Sequence, residues 1–222
     1  MRKGQSGINL NGYVILIVLY WFGHAQGTNQ RAGHPEPFPE GCWGVYSWCS
    51  WNPRKVTRES CPLIKGAPIV MHWNQVEPES GDFAFDTQLR DKLVLARAND
   101  FYTFVMIWVA PNAPRWLYEN GVPELEMTPT ISPLRKPRNW TFQYYLDDDY
   151  KRYYYRLIRA FGQYIKELPP TLQERILYVQ TAEGSTGDGF CYKGEPLDKR
   201  YRITRDQWSL FRIQAWEVFK AA

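Results

Sequence analysis

Polar and aromatic side chains collect just after four short apolar segments of this chain. Indole rings, amides, an imidazole and carboxylates occur together at these positions. Such a set suits a sugar, because the C–H faces of a pyranose stack on aromatic rings while its hydroxyls need hydrogen-bond donors and acceptors. Glu183 is the candidate catalytic residue. The candidate substrate-binding residues are Trp48, His72, Trp73, Asn74, Trp108, Asn112, Gln180 and Asp188.

Glu183 follows the fourth of these segments. A carboxylate placed just after a strand favours a functional role. The alternative is that Glu183 caps the turn formed by Gly184, Ser185 and Gly187.

Other candidates also have a structural interpretation. Trp73 and Trp108 end predicted strands, where a tryptophan can be either a packed core residue or a sugar platform. His72 can be a strand-end histidine with satisfied hydrogen bonds or a ligand for a sugar hydroxyl. Asp188 is typical of a residue that orders a turn. For Glu77 we predict a structural role, in which its carboxylate orders the following loop through backbone N–H groups.

The apolar segments alternate with helical periodicity, which is the pattern of β/α units around a parallel sheet. In such folds the ligand site lies at the carboxyl ends of the strands, so the candidate residues should meet at one rim. The predicted strands are Trp43 to Trp48, Pro68 to Trp73, Tyr102 to Val109 and Ile176 to Thr181.

Three helices are predicted between and after these strands. Asp86 is expected to cap the first, which ends at Asn99. The second has three aspartates, residues 147–149, at its start, an apolar stripe from Tyr150 to Leu168, and two prolines that stop it. The third covers about Asp206 to Lys220.

The connection from Met127 to Leu146 is far longer than the usual loop of about two to six residues. Prolines interrupt it as well, so we predict that it is more than a simple connector. Its basic residues Arg135, Lys136 and Arg138 could face an anionic polysaccharide, or they could form an ordinary solvated patch.

Two segments make the chain recognisable. Residues 71–93 (MHWNQVEPESGDFAFDTQLRDKL) and 108–124 (WVAPNAPRWLYENGVPE) resemble the elements after the second and third strands of barrel β-galactosidases and related retaining glycoside hydrolases. The resemblance covers about residues 43 to 190 and implies a (β/α)8 TIM barrel. It also implies that a glutamate ending the fourth strand is the acid/base, which matches Glu183, and that the nucleophile is a glutamate after the seventh strand. In such enzymes one carboxyl group protonates the leaving oxygen and the other attacks the anomeric carbon, and the two lie about 5–5.5 Å apart when configuration is retained. Glu183 would be the proton donor, and a surround of apolar rings with a neighbouring anion would favour its protonated form.

The chain departs from this family at one position. Ala182 stands where these enzymes usually have an asparagine that contacts the sugar 2-hydroxyl. Either Gln180 or Asn74 makes this contact instead, or the chain is a divergent branch.

Four β/α units occupy the whole chain, whereas a closed barrel needs eight. We therefore interpret residues 42–222 as an incomplete N-terminal portion of the barrel, preceded by an extended lead-in (26–41). Residues 1–25 have basic Arg2 and Lys3, an apolar run and a small-residue cleavage site at Ala25, which predicts a signal peptide. The mature protein would be secreted or periplasmic, with no membrane segment. Because the nucleophile would lie beyond it, we expect residues 1–222 alone to be inactive.

Several other classes are disfavoured. A formal net charge of +4 is too small for a nucleic-acid footprint. Metal binding is disfavoured because cysteine and histidine lack ligand spacing, and we expect no cofactor. The main rival is a non-catalytic carbohydrate-binding protein with a degenerate barrel. A nucleotide-binding open sheet ranks last, because no glycine-rich phosphate motif follows any strand. The expected partner is an oligo- or polysaccharide.

Overall fold

The computed structural model covers most of the chain that follows the predicted leader and lead-in. Two candidate site residues, Trp48 and Asp188, lie outside the described residues, as do the predicted signal peptide and most of the lead-in. Within the described ranges no helix is long and apolar enough to cross a bilayer. These ranges are residue 39 and residues 41–47, 56–132, 135–138, 140–185 and 189–222.

The elements follow one another in β/α order, with four small strands inserted before the longest helix. A π-helical turn, Asp86–Arg90, leads into α2, and a 3-10 turn, Lys199–Tyr201, precedes α6. In chain order the elements are β1 (Val45–Tyr46), β2 (Ile64–His72), α1 (Trp73–Val76), α2 (Asp91–Ala98), β3 (Tyr102–Trp108), α3 (Arg115–Glu119), β4 (Glu124–Glu126), β5 (Thr130–Ser132), β6 (Arg135–Arg138), β7 (Thr141–Gln143), α4 (Asp148–Glu167), α5 (Pro170–Gln173), β8 (Ile176–Val179) and α6 (Arg205–Ala221).

A parallel sheet of four strands, in the order β1-β2-β3-β8, lies at the centre of the described part of the chain. Each strand overlaps one of the four predicted from the sequence, so the prediction of an α/β fold with a parallel sheet is confirmed. The second strand starts at Ile64, four residues earlier than predicted. The strands lie side by side in chain order, as consecutive β/α units do.

The helices cover one face of the sheet and bury the main core. Ile69 and Met71 of β2 and Val105 of β3 belong to this core, and none of the three is more than 1% exposed. The predicted stripe of α4 packs onto the same cluster, where Tyr154 and Phe161 are buried. Neighbouring aromatic rings of α4 and α6 then join the two helices.

Helix α4 is confirmed almost as predicted. Asp147 is its N-cap and accepts a hydrogen bond from the Tyr150 backbone N–H at 3.0 Å, and the helix ends before Leu168. The cap of the preceding helix is corrected. Phe85 already has helical backbone angles, so Asp86 lies inside the π-helical turn and accepts a hydrogen bond from the Tyr164 hydroxyl at 2.6 Å.

The connection between β3 and α4 contains four short strands. Strand β4 pairs antiparallel with β7, and β5 pairs antiparallel with β6. The first pair holds together because Leu125 and Phe142 are direct partners and both are buried. The connection is therefore more than a simple loop, as its length and prolines predict.

Helix α6 begins with a capping box, and we expect the loss of this box to lower the stability of the protein. The Thr204 hydroxyl accepts from the Gln207 backbone N–H at 3.2 Å, and the Gln207 side chain accepts from the Thr204 backbone N–H at 2.9 Å. Thr204→Ala is expected to lower the free energy of unfolding by about 1 kcal/mol. Urea unfolding checks this, with exposed Ser209→Ala on the same helix as the control. Equal stability of the two variants would contradict the prediction.

Candidate functional site

Two of the predicted site residues end neighbouring strands side by side. His72 and Trp108 are direct partners in the register of β2 and β3, so their side chains project from the same face of the sheet. Their rings meet edge to face, with centroids 5.4 Å apart, and both side chains are half-buried. The indole N–H of Trp108 points back to the Met106 sulfur at 3.1 Å.

Asn112 and Asn74 complete this group, which we call the rim cluster (His72, Asn74, Trp108 and Asn112). The Asn112 side-chain amide lies 2.9 Å from His72 Nδ1, and the Asn112 carbonyl accepts from the Asn74 backbone N–H at 3.1 Å. Both asparagines are exposed. The loop after β3 is thereby joined to the turn after β2, and four of the eight predicted binding residues come together.

The contact with Asn112 matches one tautomer of the His72 ring. With the Asn112 amide nitrogen donating to Nδ1, the neutral ring carries its proton on Nε2. Burial, and after it the charge of Lys92, lowers the pKa of His72 below its usual value. The rim cluster therefore offers a neutral N–H donor, exposed amides and an indole, which are the groups that recognise an uncharged sugar.

The protonation of His72 is directly testable. Its NMR titration midpoint is expected below the usual 6.5, and Asn112→Asp should raise the midpoint because a carboxylate stabilises the imidazolium. A lowered folded-state pKa means that the unfolded chain takes up this proton first. The His72 contribution to stability is therefore lost as pH falls from about 6.5 through the folded-state pKa. A midpoint above 6.5 in the unaltered protein would contradict the assignment.

Glu183 follows β8 at the carboxyl-end edge of the same sheet, and its side chain is buried, with the residue 1% exposed. One carboxylate oxygen accepts the Trp216 indole N–H, and the other lies 3.5 Å from Arg212 Nε. The Arg212 guanidinium stacks on the Trp216 ring at 4.9 Å. Helix α6 therefore covers this carboxyl group, and we call Glu183, Arg212 and Trp216 the α6 clamp.

Aromatic rings of α4 lie behind the α6 clamp. Tyr150 and Tyr154 are buried, and burial raises the pKa of each phenol well above its usual value, with the charge of Glu183 adding to the effect. The neutral phenols, the Trp216 indole and the Arg212 guanidinium are therefore the groups that surround the Glu183 carboxyl group.

The rim cluster and the α6 clamp are separate in this structure. Within the described ranges, no hydrogen bond or ring contact joins Glu183 to any member of the rim cluster. Gln180 directly follows β8, and its backbone N–H extends the pairing of this strand by donating to the Val105 carbonyl at 2.9 Å.

Trp73 is corrected from a sugar platform to a core residue. It is fully buried, packs edge to face on Trp116, and donates its indole N–H to Glu77 at 2.8 Å. Trp73 is the first residue of α1, so the chain has already turned into the helical layer there. An indole with neither face exposed cannot stack on a ligand.

Glu77 has the structural role predicted from the sequence. Its carboxylate accepts the Gly81 backbone N–H at 2.7 Å as well as the Trp73 indole N–H, and it pairs with Arg156 of α4. Its own carbonyl accepts the Trp116 indole N–H at 3.0 Å. This network fixes the loop after α1 and joins it to Trp116 of α3 and Arg156 of α4.

Arg212 and Trp216 were missed from the sequence. The apolar stripe of α6 consists of Trp208, Phe211 and Ala215, all buried, and Arg212 lies beside Phe211. Arg212 and Trp216 are four residues apart, so they lie above one another on the flank of the stripe. A cation and an indole at this spacing could have indicated a second functional face, but nothing in the sequence pairs that face with Glu183.

No family model and no curated protein matches the chain. The arrangement brings an indole, an imidazole and two exposed amides together in the rim cluster, and it encloses one carboxyl group in the α6 clamp.

Proposed function

We propose that the protein is a retaining β-glycosidase, similar to β-galactosidases or active on a galactose-containing polysaccharide, with Glu183 as the acid/base. The four parallel strands would then be the first half of a (β/α)8 TIM barrel. In this proposal the rim cluster binds sugar hydroxyls, and the nucleophile is a second glutamate in a segment that follows residue 222.

One observation carries the proposal. A buried carboxyl group, Glu183, lies at the carboxyl-end edge of the parallel sheet, and the indole, imidazole and amides of the rim cluster lie at the same edge. Ligand sites of parallel β/α folds occur at this edge. The two motif segments, residues 71–93 and 108–124, add support because they occur in the expected order on successive strands.

The reaction proposed for Glu183 requires its proton to reach the glycosidic oxygen. In the first step Glu183 donates this proton while the second carboxylate forms a covalent bond to the anomeric carbon. In the second step the Glu183 carboxylate takes a proton from a water molecule. The water oxygen attacks the anomeric carbon and displaces the nucleophilic carboxylate from it. Access to the substrate requires Trp216 to release the carboxyl group, so the proposal includes a shift of α6.

A specific observation favours a second candidate, a non-catalytic carbohydrate-binding protein. Both oxygens of Glu183 already have partners in the α6 clamp, whereas the asparagines of the rim cluster are exposed. A chain that kept sugar binding and lost hydrolysis would have this combination, with Glu183 serving to dock α6.

Product stereochemistry separates the candidates. The full-length secreted protein would be incubated with an aryl β-galactoside and a neutral β-galactan, and the first-formed anomer followed by proton NMR. Release of the β-anomer supports the retaining glycosidase, and release of the α-anomer contradicts it. Galactan binding without hydrolysis by the full-length protein supports the second candidate. Neither binding nor hydrolysis would reject both.

A further inference from the structure

Three adjoining cavities line the contact between the β4–β7 hairpin and the connection from β8 to α6. The first, about 260 Å³, lies between β4 and residues 196–201. The second, also about 260 Å³, extends past Met127 to Trp140 and shares Glu126 and Leu197 with the first. The third, about 450 Å³, is formed by residues 190–204 and shares Pro196 with the first. We call them together the hairpin groove.

The walls of the hairpin groove are held by backbone hydrogen bonds. The Leu197 N–H donates to the Glu126 carbonyl at 2.9 Å, and the Thr128 N–H donates to the Glu195 carbonyl at 2.8 Å. Residues 195–197 thus run beside β4 as an added strand. Gly194 permits this close approach, because a Cβ there would lie 2.5 Å from the Thr128 carbonyl oxygen. The groove is therefore preformed, as ligand sites usually are.

Both walls of the groove belong to connections that follow a strand. The hairpin lies between β3 and α4, and the other wall lies between β8 and α6. Connections of this kind rise from the carboxyl ends of parallel strands. The hairpin groove therefore opens at the same end of the sheet as the rim cluster and Glu183.

The lining of the groove combines rings with carboxylates. Tyr201 borders the first cavity and packs edge to face on Tyr144, which holds its ring in place, while Trp140 borders the second. Glu124, Glu126 and Asp198 also border the first cavity. Rings that stack on C–H faces beside oxygen acceptors for hydroxyl groups are suited to sugar units.

The charge of the groove lining favours an uncharged ligand. The charged residues that border the first two cavities are all acidic, but Glu124 pairs with Arg115 at 2.9 Å and Asp198 pairs with Arg200 at 2.6 Å. Arg202 of the third cavity pairs with Glu195 at 3.3 Å. The exposed Glu126 carboxylate therefore gives this path its net negative charge, which is unfavourable for a sulfated or uronic-acid polymer.

We propose that the hairpin groove binds an uncharged oligosaccharide chain over several sugar units, so that the substrate is a neutral polymer. The proposal rests on the proposed carbohydrate recognition and extends it from one sugar at the rim cluster to a chain that reaches across the hairpin. It contradicts the anionic polysaccharide that the basic residues of the same connection suggest in the sequence.

Affinity electrophoresis of the full-length protein tests the groove without requiring catalysis. The unmodified protein is expected to be retarded by neutral β-galactan and not by a sulfated galactan. Tyr201→Ala removes a stacking ring. Glu126→Lys removes an oxygen acceptor for sugar hydroxyls and changes the sign of an exposed charge. Each should weaken galactan binding by about tenfold. Because Glu126 is exposed, its substitution does not depend on refolding of the core. Trp43→Ala, an exposed indole that precedes β1, is the matched control.

Any one of three results would contradict the proposal that the hairpin groove binds a neutral chain. These are the absence of retardation by neutral galactan, stronger retardation by the sulfated polymer, and unchanged binding in both variants. Hydrolysis of a small aryl β-galactoside by the unmodified protein is measured in parallel. An active protein with no galactan binding would reject the groove and keep the glycosidase, whereas galactan binding by an inactive protein would do the reverse.

Discussion

Glu183→Gln is expected to lower hydrolysis of an unactivated β-galactoside by about 10²–10⁴-fold in the full-length protein, which is the usual contribution of a general acid. The substituted amide keeps an oxygen that can accept the Trp216 indole N–H, so α6 should remain docked. It has no proton to donate at neutral pH. The loss should therefore appear in catalysis and not in folding, as measured by initial rates and by thermal unfolding.

The leaving group distinguishes a proton donor from a structural residue. A dinitrophenyl galactoside leaves without protonation, so formation of the covalent intermediate should be much less affected in Glu183→Gln than with an alkyl galactoside. Glu174→Gln, an exposed carboxylate before β8, is the matched control. Equal losses on both substrates, together with a lower melting temperature, would show that Glu183 anchors α6 and does not act as an acid.

Strands and the longest helix could be predicted because their signals are local. The stripe of α4 repeats every three or four residues, and the aspartate cap and paired prolines mark its two ends. The central strands are short, continuous apolar runs, which are typical of strands in a parallel sheet that is covered on both faces. Asp147 was identified as a cap because its side chain acts on a backbone N–H three residues away, a distance that sequence spacing fixes.

Features that depend on packing between distant elements could not be predicted. Trp73 and Trp108 both end predicted strands, yet the first enters the helical layer and the second stays on the open face of the sheet. The difference follows from where α1 begins, and no local pattern marks that residue. The cover of Glu183 by Arg212 and Trp216 likewise depends on how α6 packs, since these residues are about thirty positions apart in the chain.

The rim cluster shows the intermediate case. His72 and Trp108 were expected to meet because parallel strands place their carboxyl ends at one edge, and the register of β2 and β3 makes them direct partners. The hydrogen bond from Asn112 to His72, and hence the tautomer of the ring, depends on the path of the loop after β3. Topology thus predicts which side chains are neighbours, whereas loop geometry determines their chemistry.

Glu77→Ala is expected to lower the free energy of unfolding by about 3 kcal/mol or more, because removing one partner of a buried ion pair leaves the other groups unsatisfied. Glu77 is fully buried, and its loss would leave the buried Trp73 indole N–H and the Gly81 N–H without their acceptor. The Arg156 side chain is 38% exposed, so water can partly solvate its charge. The loss in free energy of unfolding should therefore lie close to about 3 kcal/mol.

Urea unfolding measures this effect, and Glu79→Ala, an exposed carboxylate two residues away, is the matched control with an expected change below about 0.5 kcal/mol. Glu77→Gln should fall between the two, because the amide keeps one acceptor but loses the charge that pairs with Arg156. A change below about 1 kcal/mol in Glu77→Ala would contradict the network. Since Trp73 directly follows His72, a true loss of the network should also shift the His72 titration, which links the stability of the loop to the chemistry of the rim cluster.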